Sequence, residues 1–288
     1  MWKEEYKIGV ELIDLQHYEL FVKSEELLRE VYKSSEFNKE KIIEMILFLK
    51  QYAVRHFEDE EKYSKSIKFE KYEEHKQQHA DFIKRVLMYE TKLIASDFVE
   101  SDVQEFTGLL ASWLVYHVSV SDQEINFGVK TEHLFNNYTD MVFNGVVKVL
   151  NKMVQIDESK IKKVGTFAES FDDATILKSK FTGDIMGSIT FSFPNSLVKN
   201  LIYSMTKIEP EEIGILEVSI LNQIVETVCS IICRYISLTK KIICKCNPPV
   251  IEKFFKSSGD EFIFIDTGIG ILKIDTYFGN KSFFSSLK

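Results

Sequence analysis

The sequence predicts a multidomain protein: an all-α four-helix bundle over residues 1–138, followed by an α+β domain over residues 139–288. Three observations predict it. The chain has 288 residues, about two ordinary domain lengths. Up to about Tyr138 it is rich in Glu, Lys, Tyr and Phe, lacks proline and repeats apolar residues at helical spacing. Beyond that point runs of β-branched residues punctuated by glycine take over.

In the first half, helices are predicted over 12–34, 38–65, 69–95 and 101–126. In the second of these, Ile42, Ile43, Ile46, Leu49 and Ala53 form a stripe one helical face wide. Four long helices with short connections suggest an antiparallel bundle, whose interior is a natural place for a metal site. A further helix over 140–154 leads into the second half. There 188–193, Ser-Ile-Thr-Phe-Ser-Phe, alternates strictly as a strand, and Pro194-Asn195 opens a helix through Met205. Residues 211–236 read as a long, largely apolar helix, and 241–246, 261–266 and 270–277 as strands.

The composition excludes several classes. A net charge of -8 disfavours attraction to phosphate backbones or anionic lipid, so neither nucleic acid nor a membrane surface is expected as a partner. The start, MWKEEYKIGVELIDLQH, has no uninterrupted apolar core of the kind an export signal needs. Apolar runs such as VVKVL and CSIIC fall far short of the roughly 20 residues of a membrane helix. A soluble, cytoplasmic protein is expected. The 4 cysteines, Cys229, Cys233, Cys244 and Cys246, all lie in the second half at spacings that do not make a CxxC pair. They read as reduced thiols, the first pair one helical turn apart and the second on one strand face, with zinc binding as the alternative. Gly268-Ile269-Gly270 lacks the third glycine and following helix of a dinucleotide site.

Five of the 6 histidines fall into a pattern: His17 in IDLQH, His56 with Glu60 in HFEDE, His75 with His79 in HKQQH, and His117 with Asp122 in HVSVSD. Residues four apart on a helix face the same side, so His56 with Glu60 and His75 with His79 each aim two donors at one point. The five-residue step from His117 to Asp122 turns roughly 500°, about 140° past one full turn. Either the carboxylate reaches round or the helix deviates locally. A lone histidine on an apolar face is usually a satisfied core residue. Two turn-spaced clamps plus further histidines on the remaining helices are hard to explain as packing, because buried imidazoles need polar partners. His133 lies beyond the fourth helix without a carboxylate or cysteine at helical spacing, and is expected at the surface.

With its histidine in the first helix, HxxxE in the second, HxxxH in the third and HxxxxD in the fourth, the sequence resembles the hemerythrin family. The resemblance covers residues 1 to about 130 and includes the lead-in Trp2 and Tyr6 to Gly9, and Ile13-Asp14 before Gln16-His17. It implies a di-iron centre bridged by oxo or hydroxo, with His75, His79 and His117 on one iron, His17 and His56 on the other, and Glu60 and Asp122 bridging. The second iron has an open position for molecular oxygen, and Trp113 and Leu114 match the family's apolar oxygen pocket. Imidazole suits iron, and five neutral donors favour reversible binding over the highly oxidised iron that carboxylate-rich sites stabilise.

The second half, through GDIMGSITFSFPNSLVKNLIYSM, ILNQIVETVCSIICRYI and CNPPVIEKF, resembles the chemotaxis phosphatase CheX and its CheC relatives. In that family an ExxN pair dephosphorylates a CheY-like response regulator. Here Gln223 and Glu226 stand in those places, so the pair reads QxxE. A carboxylate at the water-orienting position repels a phosphoryl group, which favours an inactive phosphatase, although Gln223 taking the water stays open. Both residues are otherwise polar positions on a helix buried by Ile220, Leu221, Ile224, Val228, Ile231 and Ile232. The resemblance implies a homodimer through this domain. Three functions follow: an oxygen or redox sensor signalling through the CheX-like domain to a response regulator or other signalling protein, an oxygen-gated response-regulator phosphatase, and an oxygen storage or delivery protein.

Overall fold

The computed structural model describes residues 1–33, 38–127, 137–165, 171–252 and 261–278, so His133 lies outside the described residues. The chain divides into two compact units, Met1–Thr131 and Glu132–Lys288.

The first unit is built from α1 (Glu11–Lys33), α2 (Lys39–Ser66), α3 (Tyr72–Ala95), α4 (Glu100–Tyr116) and the short α5 (Asp122–Phe127), with a π turn, His117–Ser121, between the last two. Each long helix packs on its two neighbours around a ring, α1 on α2 and α4, and α3 on α2 and α4. Asn38 starts α2 by accepting from the backbone N–H groups of Glu40 (2.9 Å) and Lys41 (3.4 Å), a cap of about 1 kcal/mol. The buried stripe of α2 is Ile42, Met45, Ile46, Leu49 and Ala53. Ile43, expected in it, is 41% exposed, because it sits about 100° round the helix from Ile42 while Met45 falls back onto the inner face. Leu20, Phe21, Leu28 and Leu49 are almost fully buried, each contributing about 1.5–3 kcal/mol.

The segment before α1 is tied down by Asp14, whose carboxylate accepts from the N–H of Ile8 (2.7 Å) and of Gly9 (3.1 Å). Gly9, at φ +82, supplies the left-handed conformation this turn needs. From α5, Gln123 donates to the Tyr6 carbonyl (2.9 Å) and Asn126 to that of Ile8, fastening the end of the fourth helix to the start of the chain.

The second unit contains α6 (Tyr138–Val149), extended by a π turn (Leu150–Val154), then β1 (Lys162–Val164), β2 (Ala174–Gly183), β3 (Gly187–Pro194), α7 (Asn195–Thr206), α8 (Ile215–Lys240), β4 (Cys244–Cys246), β5 (Val250–Ile251), β6 (Glu261–Asp266) and β7 (Ile271–Phe278). The strands form one antiparallel sheet in the order β1-β6-β7-β3-β2-β4, with β5 also pairing β2. Helices α7 and α8 pack on strands of this sheet, and α6 packs on α8.

Here the structure departs from the sequence expectations in four places. The long helix starts at Ile215 rather than 211, since Pro210 precedes it and the N–H of Gly214 is held by the Glu217 carboxylate at 2.9 Å. It runs to Lys240, and the left-handed Lys241 (φ 55) ends it, so the strand expected over 241–246 shortens to Cys244–Cys246. Residues Ile215–Ser237 are also long and apolar enough to cross a membrane by composition alone, contrary to expectation, but 72% of the most apolar window is buried inside the protein, as in the core helix of a globular domain. Finally, the ten-residue β2, which pairs with β3, β4 and β5, had no place among the expected strands.

Candidate metal centre

The seven residues picked out by spacing meet inside the first unit. His17 comes from α1, His56 and Glu60 from α2, His75 and His79 from α3, His117 from the π turn and Asp122 from the start of α5. None is more than 3% exposed. The π turn explains how the fourth pair converges. The N–H of Asp122 donates to the carbonyl of His117, five residues back, so the chain makes a wider turn and places both side chains on one face. Of the two routes open to an HxxxxD pair, local deviation is the one found.

Donor atoms fall into two sets that share carboxylates. The ligating atoms of Glu60, His75, His79 and His117 all lie within 4.8 Å of one another, as do those of His17, His56 and Glu60. Asp122 spans the sets, with Oδ1 at 2.9 Å from His75 Nε2 and 3.2 Å from His117 Nε2, and Oδ2 at 3.1 Å from His17 Nε2. Glu60 Oε2 approaches His79 Nε2 at 3.1 Å, while its Oε1 faces His17 Nε2 at 3.7 Å. Metal–donor bonds of about 2.1 Å at right angles separate neighbouring donors by about 3 Å. The spacings of 2.9, 3.1 and 3.2 Å match that edge, and the 3.7 Å between Glu60 and His17 is longer.

Hydrogen bonding alone does not satisfy these atoms. Both Glu60 oxygens, both His17 nitrogens and Asp122 Oδ2 are buried without a hydrogen-bond partner. His17 Nε2 and Asp122 Oδ2 are close yet not aligned for a hydrogen bond, and His79 Nε2 sits 2.9 Å from His117 Nε2, nitrogen facing nitrogen. Two buried carboxylates whose charged neighbours are all histidines would cost several kcal/mol if left without a cation. Burial pushes His56 down to about 3 and His79 to about 4, so these imidazoles are neutral and present lone pairs. In Glu60, burial and then the Asp122 charge push the carboxyl up. The donor set fits a pair of metal ions.

Outer residues that the spacing did not reveal orient the imidazoles. Gln16 Oε1 accepts from His56 Nδ1 (3.1 Å) while its amide donates to Asp59 Oδ2 (3.0 Å), and Glu61 Oε1 accepts from His79 Nδ1 (3.1 Å). Each bond leaves the Nε2 lone pair facing inward. Sequence could not pair Gln16 with His56, because the two are 40 residues apart.

Beside the donors lies a small cavity of about 10 Å³, lined by His56 and His117 and by apolar side chains that include Leu20, Phe57, Trp113 and Leu114. That is about the room needed for one water-sized molecule. Trp113 stacks on His117 (ring centroids 4.4 Å apart) and on Phe82 (3.7 Å), and Phe57 stacks on His79 (3.8 Å). Gln223 and Glu226, the pair on α8, belong to the second unit, where Gln223 is 7% exposed and Glu226 half-buried.

A four-helix bundle with a histidine-rich, carboxylate-sharing interior defines a metal-binding helical domain. Residues 8–126 match the family described as "Hemerythrin HHE cation binding domain". A bacteriohemerythrin of Clostridium acetobutylicum is 35% identical over 127 residues, which is 43% of this chain and 96% of that relative. The chain belongs to the hemerythrin family through this part. Its other half is similar in chain path to solved CheX-like structures. One is the chemotaxis protein CheX of Vibrio vulnificus (14% identity, TM-score 0.42, 49% of this chain and 95% of that one). Another is a chain of the CheX–CheY–BeF3–Mg2+ complex of Borrelia burgdorferi (12% identity, TM-score 0.43, 51% and 100%).

Proposed function

We propose that this protein is a cytoplasmic oxygen or redox sensor whose first unit holds a pair of irons and binds dioxygen, and whose CheX-like second unit passes the state of that site to a signalling partner such as a CheY-like response regulator. The observation that supports it best is the division of seven buried donors into three histidines and two histidines, joined by Glu60 and Asp122, next to an apolar cavity reached by His56. His75, His79 and His117 would hold one iron, and His17 and His56 the other.

When bound, the irons supply the electrons and the open position that make dioxygen binding reversible. The protein does the rest. Gln16 and Glu61 keep the protons of His56 and His79 on Nδ1, so that Nε2 donates. Phe57, Trp113 and Leu114 keep water from the cavity, and a dry site slows loss of a bound ligand as a charged species. Signalling requires the states of the site to differ in free energy as the partner meets them. The same proposal includes pairing of two copies through the second unit, and it treats Gln223 and Glu226 as non-catalytic, because the Glu226 carboxylate would repel a phosphoryl group.

Two measurements test it. Iron analysis with an ultraviolet-visible spectrum of anaerobically reduced protein, before and after air, should show two irons per chain and a reversible new band. Partner affinity measured for reduced, oxidised and oxygenated protein should differ between the forms. Equal affinity in all three defeats the sensor proposal even if oxygen binds.

A further inference from the structure

All 4 cysteines of the chain gather at one edge of the second unit's sheet. Cys229 and Cys233 lie one turn apart on α8, and Cys244 and Cys246 alternate past the exposed Lys245 onto the side of β4 that faces it. Cys244 Sγ is 3.3 Å from Cys233 Sγ. Cys246, two residues further along β4, shares that inward side with Cys244. Cys229, Cys233 and Cys244 are buried, whereas Cys246 is half-buried.

The edge strand is held in place from both ends. Asp184 donates its N–H to the Ile243 carbonyl and accepts from the Ile243 N–H, both at 2.9 Å. The Cys244 N–H reaches Ser237 Oγ on α8 at 3.2 Å, and the Asn247 N–H reaches the Lys180 carbonyl at 2.9 Å. The thiols are therefore presented by a fixed scaffold rather than a loose loop.

Their arrangement is a chain, not a cage. A zinc tetrathiolate with Zn–S bonds of about 2.3 Å brings every sulfur within about 3.8 Å of every other. Among the described residues no three cysteines have sulfurs all within 4.8 Å of one another. Instead Cys244 and Cys233 meet sulfur to sulfur, with Cys246 next to Cys244 on the same side of β4 and Cys229 one turn from Cys233 on α8.

We propose that these cysteines form an intramolecular thiol–disulfide switch, in which Cys246 is oxidised first by a peroxide and Cys233 then closes a disulfide that ties β4 to α8. The Cys246 sulfur, having given up its proton, attacks one oxygen of hydrogen peroxide and the O–O bond breaks. A sulfenic acid forms at Cys246, and the departing hydroxide takes up the proton as water. The Cys233 sulfur next attacks the Cys246 sulfur, the S–O bond breaks, and the hydroxide leaves as a second water with the Cys233 proton. Two thiols and one peroxide give one disulfide and two waters, sulfur being oxidised and peroxide oxygen reduced. Cys244, already in contact with Cys233, can take over the bond by exchange and free Cys246. The Cys229 and then the Cys233 thiol hold the Cys246 thiol down to about 4, which favours the thiolate at the least buried of the four cysteines.

The test treats the full-length, iron-loaded protein with hydrogen peroxide and, in parallel, with diamide, which oxidises dithiols without iron. Free thiols should fall from the 4 of the chain to two. Peptide mapping should join Cys233 to the peptide carrying Cys244 and Cys246, and dithiothreitol should reverse the link. Cys233→Ser should leave a sulfenic acid at Cys246 that dimedone traps, while Cys229→Ser should still form the link. Should Cys233→Ser fail to fold, the map of the unmodified protein decides alone. Retention of all four thiols under both oxidants, links only between separate chains, or a stoichiometric zinc that must be stripped before any thiol reacts would each overturn the proposal.

Discussion

The backbone N–H of Asp122 donates to the carbonyl of His117 across five residues, and this single π turn brings the HxxxxD pair onto one face of its helix. In an unbroken α-helix the carboxylate would point about 140° away from the imidazole. Both carboxylate oxygens of Asp122 reach histidines of different helices only because of this widening. Removing one residue of Val118–Ser121 should restore a regular α-helical turn, but it rotates Asp122 and the whole of α5 about 100° and so pulls Gln123 and Asn126 off the Tyr6 and Ile8 carbonyls. We expect bound iron to fall from two per chain to one or none, with helix content by circular dichroism unchanged. Full iron retention would mean that the π turn is dispensable.

Gln16 acts on the site through the back of the His56 ring. Its amide links His56 to Asp59, so Gln16→Ala should free the His56 ring to rotate and leave its Nδ1 proton without an acceptor. Loss of such an outer contact lowers metal affinity by about 10–100-fold. Competition against a chelator should show that loss, and unchanged affinity in Gln16→Ala would show that the His56 contact is dispensable.

How much of this was legible in the sequence depends on how local each signal is. The bundle and four of the seven residues, His56, Glu60, His75 and His79, could be read from spacing because HxxxE and HxxxH sit within single turns of one helix, where periodicity fixes direction, whereas His17, His117 and Asp122 joined them through the family resemblance. Gln16, Glu61 and Phe57 could not, since their roles depend on helices meeting in space. In the second half, β3 was legible from its strict alternation, whereas β2 was not. Its inward positions read Leu177, Ser179, Phe181, with a buried serine interrupting the apolar row and Lys178 and Lys180 on the other face. The cysteines could be placed one turn apart and on one strand face, but not against each other, because α8 and β4 come together only through the hairpin-like turn at Lys241.

Leu114 lines the cavity beside His56 and His117 and is 2% exposed. Leu114→Ala opens that wall to water. Because exclusion of water retards loss of bound ligand as a charged species, autoxidation should speed several-fold, as followed by stopped-flow absorbance after mixing reduced protein with oxygen. Truncation also leaves a hole in the core, costing about 2–5 kcal/mol, so thermal unfolding should be recorded alongside. An unchanged rate in a folded variant would show that Leu114 does not guard the site.

The cations that the site needs should also stabilise the fold. Without them Glu60 keeps two buried oxygens that no donor satisfies, and the metal-free protein carries that cost in its folded state only. A ligand at a hundred times its dissociation constant adds about 2.7 kcal/mol. Chelation should therefore lower the unfolding midpoint by several degrees and ferrous ion restore it, whereas Glu60→Gln should make the midpoint nearly indifferent to ferrous ion.

Cys246 should stay reactive in mild acid. An ordinary thiol, near 8.5, loses about tenfold of its thiolate for each unit of pH below neutrality. The groups around Cys246 are Cys229, Cys233 and Ser230 of α8, Cys244 of its own strand, and, one step out, Ser179 of β2 and Glu226, which both act on Cys229. The thiol donors outweigh the burial that opposes them, and the Cys246 thiol is held down to about 4. A folded-state value lowered in this way keeps the thiolate present from neutrality down toward that value, and its loss begins only as pH falls through it. Alkylation of Cys246 by iodoacetamide should thus change less than about threefold between pH 8 and pH 6, against about a hundredfold for an unperturbed thiol. Cys229→Ser, which replaces the strongest of the donors, should steepen that dependence. A profile in the unmodified protein that already follows an ordinary thiol would show that the neighbouring sulfurs do not activate Cys246.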